Sequence, residues 1–299
     1  LVWSLLTVLA WGVWGVLSKA LAGLTAEQQQ AFSTVGMLPI MAILLVTPGW
    51  KVGERRVRGA GVALAAGLLS CLGTIALYRA LAAGEQASTA VTLTALYPLV
   101  AVVLAYLFLR EKPAWWQWVG VVGSLVAIYL LTIGKDFATV PRELVFAVAP
   151  ILLWGASAVV TKLAVRDVSA EAAAFWFLAT CVPLSAVLVA VEPMRWELSS
   201  REWLAVAALG ATYGLGNLTL LAAFRAGGKA AVVTPLCGMY PVATIPLAIL
   251  FFDEKIDPAA WVGIGLALVS AAVLAYEKTP GPTTTGGTTD AEAYHPTAP

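Results

Sequence analysis

Apolar runs of about 20 residues, separated by short breaks rich in charge, Pro or Gly, fill almost the whole chain. A helix of roughly that length crosses the hydrocarbon core of a bilayer, so each run predicts one span. The runs are 1–21, 28–46, 59–82, 87–109, 114–133, 144–165, 172–191, 202–226, 230–252 and 258–276. A barrel is excluded, because its strands would alternate apolar with polar residues. The pattern therefore predicts an all-α polytopic membrane protein with ten transmembrane helices.

The ten runs are two copies of five. Trp11-Gly12 followed by Ser18-Lys19 returns as Trp154-Gly155 followed by Thr161-Lys162, a shift of 143 residues. The same shift places Tyr97-Pro98 on Tyr240-Pro241, Arg110-Glu111-Lys112 on Asp253-Glu254-Lys255, and Trp118-Val119-Gly120 on Trp261-Val262-Gly263. We divide the chain into a first repeat, 1–134, a second repeat, 135–278, and a tail, 279–299. Five spans per copy is odd, so the second copy enters the membrane from the opposite side. The repeats are thus expected to be inverted, the arrangement in which many carriers build a midplane site between their halves.

Composition agrees with a life in lipid. Of 299 residues 60% are hydrophobic and 12% charged, against about a quarter charged in a soluble domain; mean hydropathy is +0.86. A net charge of +1 offers no basic patch for nucleic acid. Cys71, Cys181 and Cys237 lie in separate apolar runs without metal-ligand spacing and read as buried thiols. The single histidine, His295, sits in the tail. No cofactor, metal site, paired carboxylates or nucleophile with its base is expected, which argues against an enzyme.

The first run ends in Ala20-Leu21-Ala22, like a leader-peptide cleavage site. Its mid-chain copy shows it to be a span instead. Lacking an initial Met, the sequence is expected to be preceded by a few residues. Lys and Arg divide eleven to seven between the two sides, with the cluster Lys51, Arg55, Arg56 and Arg58 carrying the bias. By the positive-inside rule both termini face the cytoplasm, across the inner (plasma) membrane. The Thr/Gly/Pro-rich tail has too little apolar surface to order itself.

The chain resembles the EamA family of the drug/metabolite transporter superfamily. The resemblance rests on the two Trp-Gly then Lys motifs, on Ala76-Leu77-Tyr78-Arg79-Ala80 beside Ala222-Ala223-Phe224-Arg225-Ala226, on Pro98 and Pro241, and on Glu111 and Glu254. It covers residues 1–276. It implies a small-molecule carrier whose cavity is lined by helices one, three, four, six, eight and nine. The related small multidrug resistance proteins carry a membrane-embedded Glu eight residues before the motif lysine, where this chain has Trp11 and Trp154. No carboxylate lies near a span centre, so proton antiport through a buried acid is disfavoured.

Several deep side chains are candidate substrate contacts. Trp11, Trp14, Trp154 and Trp176 lie inside spans, where an indole N–H needs a partner and its face can hold a cation. Trp11 and Trp154 suit either a packed helix crossing or a cavity wall. Trp14 and Trp176 lack a Trp counterpart in the other copy, which favours substrate contact. Asn217, mid-span, suits a ligand or an interhelical bond. Tyr97 and Tyr240, beside Pro98 and Pro241, and Tyr78 complete the set. Lys19, Arg79, Lys162 and Arg225 end their helices and read as anchors or, with Glu111 and Glu254, as gates. The expected function is alternating-access transport of a small amphipathic metabolite such as an amino acid or amine. Sugar-phosphate exchange is the alternative, and would need Lys19, Lys162, Arg79 or Arg225 to face the cavity rather than the interface. Besides substrate and lipid, association into a homodimer stays open.

Overall fold

The computed structural model describes residues 2–47, 56–132 and 142–276. Among these residues every regular element is helical, as lipid demands of a chain that must satisfy each backbone N–H and C=O internally. In the first repeat α1 spans Val2–Ala20, α2 Ala26–Val46, α3 Arg56–Ala82, α4 Ala87–Thr94, α5 Pro98–Leu104 and α6 Trp115–Thr132. In the second, α7 spans Arg142–Asp167, α8 Ala170–Ala179, α9 Cys181–Val191, α10 Ser200–Arg225, α11 Ala230–Cys237, α12 Pro241–Phe252 and α13 Pro258–Ala275. Among the described residues nine helical stretches are long and apolar enough to cross a membrane. The Lys51–Arg55 part of the basic cluster, the inter-repeat segment 133–141 and the tail lie outside the described residues.

Local chemistry sets the helix starts. Thr25 and Ser169 accept from the N–H groups of Gln28 and Ala172. Ser199 and Glu202 form a reciprocal capping box, and Asp257 accepts from the Ala260 N–H. These caps begin α2, α8 and α10 two residues earlier than the apolar pattern suggested.

Two apolar runs that read as single helices are broken near their middles. The run at 87–109 breaks into α4 and α5 at 95–97, and the run at 230–252 into α11 and α12 at 238–240. Pro98 and Pro241 supply no N–H to the turn before them. The chain tightens instead through i to i−3 bonds, Tyr97 N–H to Thr94 O at 3.1 Å and Met239 N–H to Leu236 O at 3.3 Å. The breaks turn Tyr97 and Tyr240 inward, both almost fully buried. At the far ends, after a π-helical turn at Ala105–Leu109 and after α12, Arg110 and Asp253 take left-handed conformations, φ 55° and 51°.

The repeats interlock rather than sit side by side. The most extensive helix pairings, α3 with α7, α6 with α13, and α10 with both α1 and α2, all join one repeat to the other. Close approach depends on small residues. A Cβ on Gly210 would collide with the Ser33 carbonyl of α2, and one on Gly67 with the Phe177 carbonyl of α8. Outward faces stay apolar, as on α6, where Val119, Val122, Leu125 and Val126 are exposed.

Candidate functional site

A cavity of about 460 Å³ empty volume opens where α1, α3, α7 and α10 meet the broken spans. Its walls are mostly aromatic, and none of the described residues lining it is charged. Trp11 and Trp14 come from α1, Trp154, Ser157 and Thr161 from α7, and Tyr213 and Asn217 from α10. Tyr97 and Tyr240 enter from the two breaks.

The packing obeys the repeat shift with the partners exchanged. Trp11 meets Tyr240 edge-on with ring centroids 5.9 Å apart, and Trp154 meets Tyr97 in the same way at 6.1 Å. Each of these indoles rests on a glycine of the other repeat, Trp11 on Gly216 and Trp154 on Gly73, where a Cβ would overlap the ring. Tyr97 donates to the Thr234 carbonyl, and Tyr240 to that of Val91, each at 3.4 Å. The Trp11 and Trp154 indoles therefore serve both readings open to them: they pack a helix crossing and wall the cavity.

Trp14 lies at the centre, 2% exposed. Its N–H donates to the Tyr78 hydroxyl at 3.0 Å, and its ring sits about 6 Å from those of Tyr78, Trp154 and Tyr213. Tyr78 thus stands behind Trp14 rather than on the cavity wall. Trp154 donates to the Ser70 carbonyl at 3.0 Å. Ser157 donates to the Ala66 carbonyl at 2.8 Å, and Asn217 Nδ2 to the Tyr213 carbonyl at 2.9 Å. These bonds offset the cost of holding polar groups in an apolar setting.

Trp176 does not reach the cavity. It packs edge-on against Phe175 at 5.3 Å, while the next residue, Phe177, supplies the wall from α8. Since α8 beyond Glu171 in its first turn is apolar on every side, hydropathy gives no phase by which to tell one face from another. Tyr213 was also missed as a site residue, although the 143-residue shift relates it to Ser70 across the cavity.

The charged residues engage at the helix ends. Lys19 Nζ donates to the Glu85 carbonyl at 2.6 Å, and Lys162 Nζ donates to that of Gly228, its counterpart by the shift. Both bonds secure the turn that follows a long helix, where Gly84 and Gly227 take φ of 101° and 93°. Arg79 pairs with Glu27 through Nε at 2.7 Å, and Arg225 donates to the Val165 carbonyl at 3.4 Å.

Glu254 pairs with backbone rather than with a basic side chain. Its two oxygens accept from the N–H groups of Ala87 and Ser88, at 2.7 and 2.9 Å. A carboxylate at a helix N-terminus satisfies otherwise unpaired donors and complements the helix dipole. Gln86, the N-cap of α4, makes no side-chain cap itself. Glu111, at the opposite end of the same broken span, lines a separate cleft of about 580 Å³ with Lys112 and Lys229.

The sequence profile of the EamA-like transporter family matches this chain twice, over residues 1–133 and 141–276. The chain belongs to the EamA-like transporter family. It is a multi-pass membrane protein of a transporter family, and the two matches follow its two repeats. A solved crystal structure superposes with a TM-score of 0.68 at 22% identity, covering 91% of this transporter and 95% of the other chain. That likeness speaks for the fold alone. None of the curated proteins matches the chain in sequence. Five of the six helices that the family resemblance implied around the cavity contribute as whole or broken spans through Trp11, Ser70, Tyr97, Trp154 and Tyr240, Tyr213 supplies the sixth, and Phe177 adds a seventh span.

Proposed function

We propose that the protein is an inner-membrane transporter that carries a small amphipathic metabolite by alternating access of two inverted five-helix repeats. Ten spans make up the carrier, with α6, packed along α13, as the tenth beside the nine apolar stretches. Both termini face the cytoplasm, in line with the eleven to seven division of Lys and Arg.

The observation that carries this reading is the exchanged pair of contacts around the cavity, Trp11 with Tyr240 and Trp154 with Tyr97. A site built equally from two inverted halves can be sealed by equivalent movements on either side. Capping of α4 by Glu254 and of the α3 turn by Lys19 would fasten one end. The Lys162 bond to Gly228 would fasten the other. Sugar-phosphate exchange draws no support from the geometry, because Lys19, Arg79, Lys162 and Arg225 are all engaged away from the cavity wall.

Thermal unfolding of the detergent-purified protein tests the site against amino acids, amines, neutral aromatic compounds, sugars and phosphorylated sugars. A ligand at a hundred times its Kd should stabilise the fold by about 2.7 kcal/mol. A Leu220→Trp variant, which plugs the cavity wall, should lose that gain. The stabilising compound should then enter proteoliposomes saturably with wild-type protein and not with the plugged variant. Stabilisation by phosphorylated sugars alone, or binding without uptake, would overturn the reading.

A further inference from the structure

The polar groups of the cavity do not all find partners within the protein, and those left over define what could complete them. Trp14, Trp154, Tyr97, Tyr240, Ser157 and Tyr213 are engaged by the bonds already described or, for Tyr213, by the Ser70 hydroxyl. Trp11 breaks the symmetry. Its counterpart Trp154 donates to the Ser70 carbonyl, yet the Trp11 N–H has no hydrogen bond among the described residues, and it is not sealed away from the cavity.

Asn217 supplies the complementary group. Its Nδ2 is fixed by donation to the Tyr213 carbonyl, which assigns the amide orientation and leaves Oδ1 as the group without a partner among the described residues. The equivalent residue in the first repeat is Thr74, which makes the same bond to the carbonyl four residues back, at 2.9 Å from Ser70 O, and has no second polar atom to offer. Trp11 lies against Gly216, the residue before Asn217, so the free donor and the free acceptor sit on the same wall. Among the described residues the Thr161 hydroxyl is the third unpaired group of the wall, able to donate or accept.

We infer that the cavity selects an uncharged ligand with a flat apolar body and an amide head, its carbonyl accepting from Trp11 Nε1 and its N–H donating to Asn217 Oδ1. This rests on the cavity being the carrier's substrate site. A carboxylate entering it would meet no cation, and an ammonium only ring faces, whose cation–π attraction is smaller than the cost of its dehydration. An amide gives each unpaired protein group its complement, and the indole and phenol rings cover the ligand's planar body.

The test compares three probes with the same ring and different heads, benzamide, benzoate and benzyltrimethylammonium, by calorimetric titration of the full-length protein. The variants are Trp11→Phe, which keeps the ring and removes the N–H, and Asn217→Thr, which installs the residue of the other repeat. Unliganded thermal unfolding checks that each variant folds. Benzamide is expected to bind in preference to both ions and to weaken about tenfold or more in each variant, the share of one buried hydrogen bond. Benzoate or benzyltrimethylammonium binding better than benzamide, and losing that binding in Leu220→Trp, would overturn the amide while keeping the cavity as the substrate site. Benzamide binding untouched by both substitutions would also overturn it. If no probe binds, or if Leu220→Trp changes nothing, the amide assignment falls together with the cavity reading beneath it.

Discussion

Ser70 and Tyr213 hold equivalent positions in the two repeats, 143 residues apart, and their hydroxyls meet at 2.9 Å across the cavity. Related positions can touch only near the axis that relates the repeats. This bond therefore lies close to that axis. Tyr213→Phe should lower stability by about 1 kcal/mol, the net worth of one intramolecular hydrogen bond, read as a fall in the unfolding temperature in detergent.

Glu254 ties the end of α12 to the start of α4 through backbone alone. Glu254→Gln keeps an acceptor but removes the charge. The expected cost is about 0.3–1 kcal/mol from the helix dipole, and the amides of Ala87 and Ser88 should exchange faster with solvent deuterium. Unchanged exchange there would show that the carboxylate does not hold α4.

Lys19 and Lys162 do the same work in the two repeats, each holding a carbonyl in the turn after a long helix. Hydrogen bonds to charged groups contribute roughly 1.5–3 kcal/mol. Lys19→Met and Lys162→Met should destabilise the protein by similar amounts within that range. A large loss in one and none in the other would mean that only one of the two ends is fastened in this way.

Gly73 and Gly216 are the seats of Trp154 and Trp11. Gly216→Ala forces the Trp11 indole aside, and overpacking of this kind costs about 1–3 kcal/mol. Ligand affinity should fall with it. Gly265→Ala, mid-helix in α13 where a Cβ meets open space, is the control: it should leave binding unchanged and raise stability by about 0.4–1 kcal/mol.

The repeat, the helical class and the membrane setting were legible because each rests on long-range pattern: apolar runs, a constant shift, and a low content of charge. Trp11, Trp14, Trp154, Tyr97, Tyr240 and Asn217 stood out because bulky or polar groups at depth need a reason to be there. What stayed hidden depends on facing and on partners in three dimensions. Trp176 and Phe177 are neighbours on a stretch of helix that is apolar all round, and only packing decides that Phe177 meets the cavity. Tyr78 looked like a contact and proved to be the partner of the Trp14 N–H. Glu254 suggested a basic partner, since side-chain charges can be read from sequence and the bare end of a helix produced by a break cannot.

The seating of each indole on a glycine of the opposite repeat bears on how the chain is made. While only the first half has left the ribosome, the notch at Gly73 is empty and Trp11 has nothing beneath it, because Trp154 and Gly216 are not yet synthesised. The early helices must wait in the bilayer with these surfaces uncovered. Assembly is thus ordered by the chain itself: the two notches can be filled only once the trailing half has joined the leading one.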